Sequence, residues 1–317
     1  MTDTQFPDKA RMFYCIGAQK AGTSWLYQAL GQSRDCHLPY LKELHYFDAL
    51  YTPGNRRAQD EMLMALDGVL DDLIAQPQGS PADPRKLIKA KYLADYLKMH
   101  TGPRGSHDRY IRFLTQGWAG QALICDITPA YSILDRKAFA DMAGIGRAQF
   151  LFILRDPVER MWSAIRMAMS DRSGARGLDK DQFAGLCADR VRRMQATGAL
   201  GDKPAPRADY LRTLAELDHA VDEDRVHVAF FETLVGSGGL ADLCARLGIA
   251  PPIGNGGDAV GVGRQAEIPE ETEQLLFDGL KPQYDGIMER FGDAVPDQWR
   301  TRYDRMTSQQ TGQQTGQ

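Results

Sequence analysis

Four short apolar runs stand out along the chain: MFYCIG at 12–17, ALICDI at 122–127, QFLFIL at 149–154 and RVHVAFF at 225–231. Each is too short for a helix that buries one face, and each stops at a turn signal or a polar break. They read as strands buried on both faces. Between them, apolar residues fall three and four apart. Trp25, Leu26, Ala29 and Leu30 make one such stripe, and Val158, Met161, Trp162, Ile165 and Met169 another, as in helices packed by a single face. Buried strands separated by helical crossovers predict an α/β fold of three layers, with a central parallel sheet flanked by helices.

The pattern also predicts one domain over residues 1–306 with two insertions. Residues 50–118 turn polar and irregular, with a helix around DEMLMALDGVLDDLI followed by the Pro/Gly-rich QPQGSPADP. Residues 170–208 form a second insertion rich in Arg and Gly. A closing helix is expected over 269–291, with Pro269 at its start and Gly292 at its end. The low-complexity TSQQTGQQTGQ at 307–317 reads as a disordered tail.

Composition narrows the function classes. Of 317 residues 43% are hydrophobic and 25% charged, and net charge is −4, so no global field attracts nucleic acid or an anionic membrane. No basic stripe or aromatic platform suggests DNA or RNA binding. No stretch of about 18 apolar residues predicts a membrane span, and MTDTQFPDKARMFYCIG has no signal-peptide character. The five cysteines, Cys15, Cys36, Cys125, Cys187 and Cys244, are scattered without a CxxC pair. That argues against zinc and a disulfide framework and for the cytoplasm. An anionic ligand would have to be captured by a local cluster of donors.

Such a cluster is present. The first strand runs into GAQKAGTS and then a helix, which makes the α/β fold P-loop-like. A glycine-rich turn there offers backbone N–H groups at the positive end of a helix dipole. Gly17 and Gly22 permit the tight path, and Thr23 and Ser24 add hydroxyls. A Walker A loop has Lys directly after its second glycine. Here Thr23 takes that position and Lys20 sits inside the loop. The loop thus reads as a phosphate cradle without the standard γ-phosphate lysine, or else as a plain glycine turn capped by Thr23, and Asp126 is the one evident carboxylate for magnesium.

A second anchor begins where QFLFIL ends. In LRDPVERMWSAIRM, Asp156 can cap a new helix, Pro157 suits its first position and Glu159 is a capping-box partner. Ser163 lies about 140° from Val158 around the helix, off the apolar stripe. Arg155 and Ser163 could together hold one phosphate. Equally, Arg155 could pair with a nearby acid and Ser163 face water.

FYCIGAQKAGTSWLYQAL resembles the 5′-phosphosulfate loop of the sulfotransferase family, and LFILRDPVERMWSAIRM its 3′-phosphate motif. LKELHYFD is similar to a KExHFF-type segment of carbohydrate (heparan-type) and many bacterial members, and DITPAYSIL to an (E/D)xTPxY stretch. DYLRTLAELDHAVDEDRVHVAFFETL follows the family's helix and strand more loosely. These motifs stand in the family's order over 11–48, 120–170 and 209–248. The resemblance implies a donor, 3′-phosphoadenosine 5′-phosphosulfate, that leaves as 3′-phosphoadenosine 5′-phosphate, with no metal required. It implies that Gly17, Gln19, Lys20, Ala21, Gly22, Thr23, Ser24 and Trp25 form the 5′-phosphosulfate cradle, while Arg155 and Ser163 hold the 3′-phosphate. It also sets Gly263 and Arg264 over the nucleotide. Where heparan-type members carry Lys in EKTPxY, this chain has Ile127, and no RGxH-type signature follows the late loop.

The transfer so implied is in-line, with charge growing on the leaving oxygen, where Lys20 is placed to neutralise it. Glu43 and His45, two residues apart on a segment read as extended, should face the same way. The resemblance implies Glu43 as base; His45 reads as an acceptor or supporting contact, or as a buried histidine bonded to backbone. Lys42 should face away from both, and Asp126 should cap the Thr-Pro turn. The acceptor is a small molecule, carbohydrate or lipid, with Tyr92, Tyr96, His107, Tyr110, Arg172 and Arg176 of the insertions as candidate pocket residues. A P-loop kinase or nucleotidase and a non-catalytic nucleotide-binding module are the alternatives.

Overall fold

The computed structural model describes residues 5–52, 54–77, 81–103, 105–170, 172–200, 205–236, 238–252 and 263–314. Its centre is a parallel sheet of β1 (Arg11–Gly17), β2 (Cys36–His37), β3 (Leu123–Ile127), β4 (Gln149–Leu154) and β5 (Val226–Phe230), in the order β2-β3-β1-β4-β5. Four of these are the apolar runs. The fifth, β2, is two residues long and leaves no periodic signal. Met12 to Ile16 are all 0% exposed, which is why β1 reads as an unbroken apolar run and not as an alternating one.

The helices are α1 (Thr23–Gly31), α2 (Tyr46–Tyr51), α3 (Arg57–Ile74), α4 (Pro84–Met99), α5 (Asp108–Leu114), α6 (Arg136–Ala143) and α7 (Pro157–Ser170). They continue with α8 (Lys180–Ala196), α9 (Tyr210–Asp218), α10 (Phe231–Leu234), α11 (Gly239–Leu247), α12 (Glu270–Phe291) and α13 (Asp297–Gln314). The closing helix α12 starts after Pro269 and ends at Gly292, as the pattern predicts. It packs against α7, α8 and α9. No helix among the described residues is long and apolar enough to cross a membrane.

Three expectations change. The first insertion contributes to the core: Tyr96, Met99, Tyr110, Phe113 and Leu114 of α4 and α5 are buried there. Tyr96 and Tyr110 are therefore not open to an acceptor, and His107 is engaged with Tyr46 Oη and Asp141 at 3.1 and 3.0 Å. In the second insertion, α8 is amphipathic and buries Phe183, Cys187 and Val191. Finally, the backbone of 307–314 continues α13 instead of ending in a disordered tail, and 315–317 lie outside the described residues. Gln is a good helix former, and buried Trp299 and Met306 anchor the preceding turns.

Candidate active site

Strands β3, β1 and β4 are neighbours, so the loops leaving their C-terminal ends emerge side by side, the usual place for a site in an open parallel sheet. The loop after β1 is GAQKAGTS. Gly17 has φ +151 and a Cβ there would stand 3.0 Å from Ser132 Cβ; at Gly22, φ is +82 and a Cβ would meet the Phe231 ring at 2.6 Å. Only glycine fits either position. Ala21 N–H folds back on Ala18 O (3.1 Å), and the helical ladder starts with Leu26 N–H to Gly22 O (3.0 Å). The N–H groups of Thr23, Ser24 and Trp25 precede that ladder and form the positive end of α1. Gln19 and Lys20 are half-buried, Ala21 and Thr23 buried, Ser24 half-buried and Trp25 9% exposed.

Lys20 adopts φ +70 without being glycine. Burial lowers its ammonium pKa, and the nearby cations Arg155, Arg166 and Lys42 lower it further, against the pull of Glu43. Arg155 ties the second anchor to the loop: its Nη1 donates to Lys20 O at 3.0 Å, and its guanidinium lies 5.1 Å from the Phe231 ring centre. Its own carbonyl accepts from Tyr210 Oη (2.8 Å). Arg155 also stands 3.5 Å from Glu159, so the local acid pairing is present alongside the loop contact. Ser163 is 8% exposed on α7 and does not face water.

Asp156 caps α7 by accepting from Glu159 N–H (3.0 Å). The capping box is completed differently from expectation. Asp156 N–H donates to Glu232 (2.9 Å), and the Glu159 carboxylate turns to Arg302 at 2.8 Å. Arg166 is a cation the motif reading passes over. It lies three residues beyond Ser163 on the same helix side, and its own pKa is lowered by burial and by Arg155. That i, i+3 spacing was its only sequence signal.

Glu43 and His45 do come together, but not on an extended segment: their φ values are +61 and +50. His45 Nε2 is 3.8 Å from Glu43 and its Nδ1 2.8 Å from Asp48. Lys42, expected to face away, sits with Nζ 2.5 Å from Glu43. Burial would raise the Glu43 carboxyl, yet His45 and Lys42 outweigh it and hold the pKa at about 2. Burial would lower His45, but Asp48 and Glu43 lift it to about 9. At neutral pH the pair is carboxylate and imidazolium.

Asp126 caps the Thr-Pro turn and does more. Fully buried, it accepts from Thr128 Oγ1 (2.6 Å), Tyr110 Oη (2.7 Å) and Tyr131 Oη (2.8 Å). Burial raises its pKa to about 6 despite these donors. Thr128 Oγ1 in turn accepts from Leu44 N–H (2.9 Å), and Tyr131 Oη from Tyr46 N–H (3.1 Å). Two links from one carboxylate thus grip the backbone on either side of His45. Thr128→Val leaves Leu44 N–H and one Asp126 oxygen unpaired, and should lower stability by about 1–3 kcal/mol in urea unfolding. A variant as stable as the wild type would refute the linkage.

The late loop is placed beside the cluster by its backbone: Arg264 O accepts from Arg166 Nη1 at 3.3 Å. The Arg264 guanidinium is turned away, donating to Ala175 O (2.6 Å) and Leu178 O and lying 4.3 Å from the Phe183 ring centre. Gly263 O accepts from Gln265 Nε2 (2.8 Å). Neither the Arg264 side chain nor Gly263 joins the loop and the cations in this arrangement.

Among solved structures, the sulfotransferase from Alicyclobacillus acidocaldarius matches with TM-score 0.54 at 20% identity, covering 91% of this chain and 98% of that one. Two sulfotransferase domains match less closely. The one from a Synechococcus olefin synthase has TM-score 0.42 and 17% identity, covering 86% and 95%. The one from the curacin biosynthetic pathway has 0.44 and 15%, covering 97% and 98%. No curated protein matches the sequence. At these identities the structural likeness speaks to the fold. The family model described as Sulfotransferase family covers residues 13–250, a span that holds the loop after β1, the Glu43–His45 segment, the Asp126 turn and the Arg155 anchor. With three quarters of its length matched in this way, the chain belongs to the sulfotransferase family.

Proposed function

We propose that the chain transfers a sulfuryl group from 3′-phosphoadenosine 5′-phosphosulfate to a hydroxyl or amine of a small-molecule, carbohydrate or lipid acceptor. The observation that carries this reading is the gathering of Lys20, Arg155 and Arg166 at the N-terminus of α1, with the ionised Glu43 within electrostatic reach of Lys20. Burial lowers the pKa of Lys20 and of Arg166, and the charge of Arg155 lowers both further, so the cluster suits a polyanion that relieves this repulsion. The donor residues fit two separate anionic groups: the loop N–H groups, Thr23 and Lys20 for the 5′ end, and Arg155 with Ser163 for the 3′-phosphate. Gly263 and Arg264 remain a proposal that would need a change in the Arg264 side chain.

The donor, when bound, supplies the sulfuryl group and a phosphate leaving group. Lys20 and the α1 N–H groups favour negative charge growing at the loop. Glu43 takes the acceptor's proton; His45, already cationic, orients Glu43 and cannot itself be the base at neutral pH. Both Asp126 oxygens are occupied by hydroxyl donors, which counts against the magnesium site a kinase would need. The five cysteines are free and buried, in keeping with a proposed cytoplasmic setting.

Calorimetric titration with 3′-phosphoadenosine 5′-phosphate, 5′-AMP and magnesium-ATP tests this. The bisphosphate should bind at least tenfold more tightly than AMP, and Arg155→Ala should remove most of that preference, a loss of about 1.5–3 kcal/mol for a charge-assisted contact. Preference for magnesium-ATP would favour the kinase reading and overturn this one.

A further inference from the structure

The C-terminal helix α13 lies beyond the family-matched residues 13–250, yet it reaches back to the Arg155 anchor. Arg302 of that helix is 16% exposed, and its guanidinium meets three carboxylates: Asp156 at 2.6 Å, Glu159 Oε1 at 2.8 Å and Glu273 at 2.8 Å. The other Glu159 oxygen, Oε2, stands 3.5 Å from Arg155 Nη2. One carboxylate is therefore shared by two arginines, with its hydrogen-bonded side on Arg302. Arg155, Glu159, Arg302 and Arg305 line a common cavity of about 520 Å³.

Arg155 Nη1 gives one hydrogen bond to Lys20 O, and Nη2 is the nitrogen that Glu159 approaches. A planar guanidinium binds a carboxylate and a phosphate through the same fork of N–H groups, so Glu159 and an incoming phosphate are direct rivals. The carboxylate stays at 3.5 Å from Arg155 because Arg302 holds it. Without that hold, a small rotation would close the Glu159–Arg155 pair and set a negative charge against the anion.

Resting on the donor site proposed above, we infer that Arg302 is a positioning residue for recognition of the donor's 3′-phosphate: it restrains Glu159 and so keeps Arg155 available. Arg302 acts through Glu159, so the effect should appear in discrimination between nucleotides with and without a 3′-phosphate, and should vanish when Glu159 loses its charge. A merely structural role for Arg302 would weaken both nucleotides together.

The test titrates wild type, Arg302→Gln, Glu159→Gln and the double variant with adenosine 3′,5′-bisphosphate and with 5′-AMP at low salt. Arg302→Gln should lower the bisphosphate-to-AMP affinity ratio about tenfold with AMP binding unchanged, and the double variant should restore it. A ratio that Arg302→Gln leaves intact, or that stays low in the double variant, overturns the inference. Should Arg302→Gln fail to fold, having lost its contacts to three carboxylates, Glu159→Gln alone decides. Its ratio should rise two- to threefold, about 0.4–0.7 kcal/mol. An unchanged or lowered ratio would mean that Glu159 does not compete for Arg155. A wild-type protein with no preference for the bisphosphate is a different result: it removes the donor reading, and this inference with it.

Discussion

Lys20→Ala is expected to lower kcat for sulfuryl transfer by about two to three orders of magnitude, the cost of removing one preorganised charge from a developing anion. The same variant should unfold at an unchanged or slightly higher temperature. Lys20 is half-buried among like charges, and burial followed by Arg155, Arg166 and Lys42 already disfavours its charged form. Deleting it relieves that repulsion in the free protein. Ala is also no worse than Lys at φ +70. Activity and stability should thus move in opposite directions, as they do when strain is held at a functional site. Near-normal turnover in the variant, measured with saturating donor, would remove Lys20 from the mechanism.

Glu43→Gln should cost about two to four orders of magnitude in kcat, the range for a general base, with donor affinity little changed. The pH profile separates Glu43 from His45. With Glu43 held at about 2 and His45 raised to about 9, a carboxylate base gives a rate that is level between pH 6 and 8 in wild type. An imidazole base would instead give a rate climbing tenfold per unit toward pH 9. Stability follows the same two groups. The contribution of His45, whose ordinary pKa is 6.5, is complete below that value and is lost as pH rises through about 9. The contribution of Glu43, ordinarily at 4.5, is present above that value and is lost as pH falls through about 2. A rate that climbs steadily from pH 6 to 9 would transfer the role of base to His45.

The sheet was readable because its four longer strands are buried on both faces and so appear as unbroken apolar runs. The loop after β1 was readable because two glycines mark backbone that no other residue can adopt. The turn that joins Glu43 to His45 carries no such mark, since both left-handed residues are side-chain bearing; a period-two reading gave the right neighbours by the wrong path. Tyr96 and Tyr110 looked like pocket residues because an aromatic in a polar stretch reads the same whether it faces a ligand or the core. Their burial depends on how α4 and α5 dock on the sheet, a long-range fact with no local trace. Arg302 and Glu232 were invisible for a related reason: their partners at Asp156 and Glu159 lie more than 70 residues away.

The strand order has a further consequence. The groups proposed to read the phosphates descend from β1 and β4, whereas the grip on the Glu43–His45 turn descends from Asp126 on β3, on the other side of β1. The α3–α4 hairpin belongs to neither attachment, and Tyr92 on it lies stacked against Tyr40, 4.6 Å between ring centres, just ahead of that turn. On the reading proposed here, descendants of this chain could trade one acceptor for another by redrawing the hairpin while the machinery that reads the donor stays untouched. A scaffold divided in this way offers variation a place to act without reopening the chemistry.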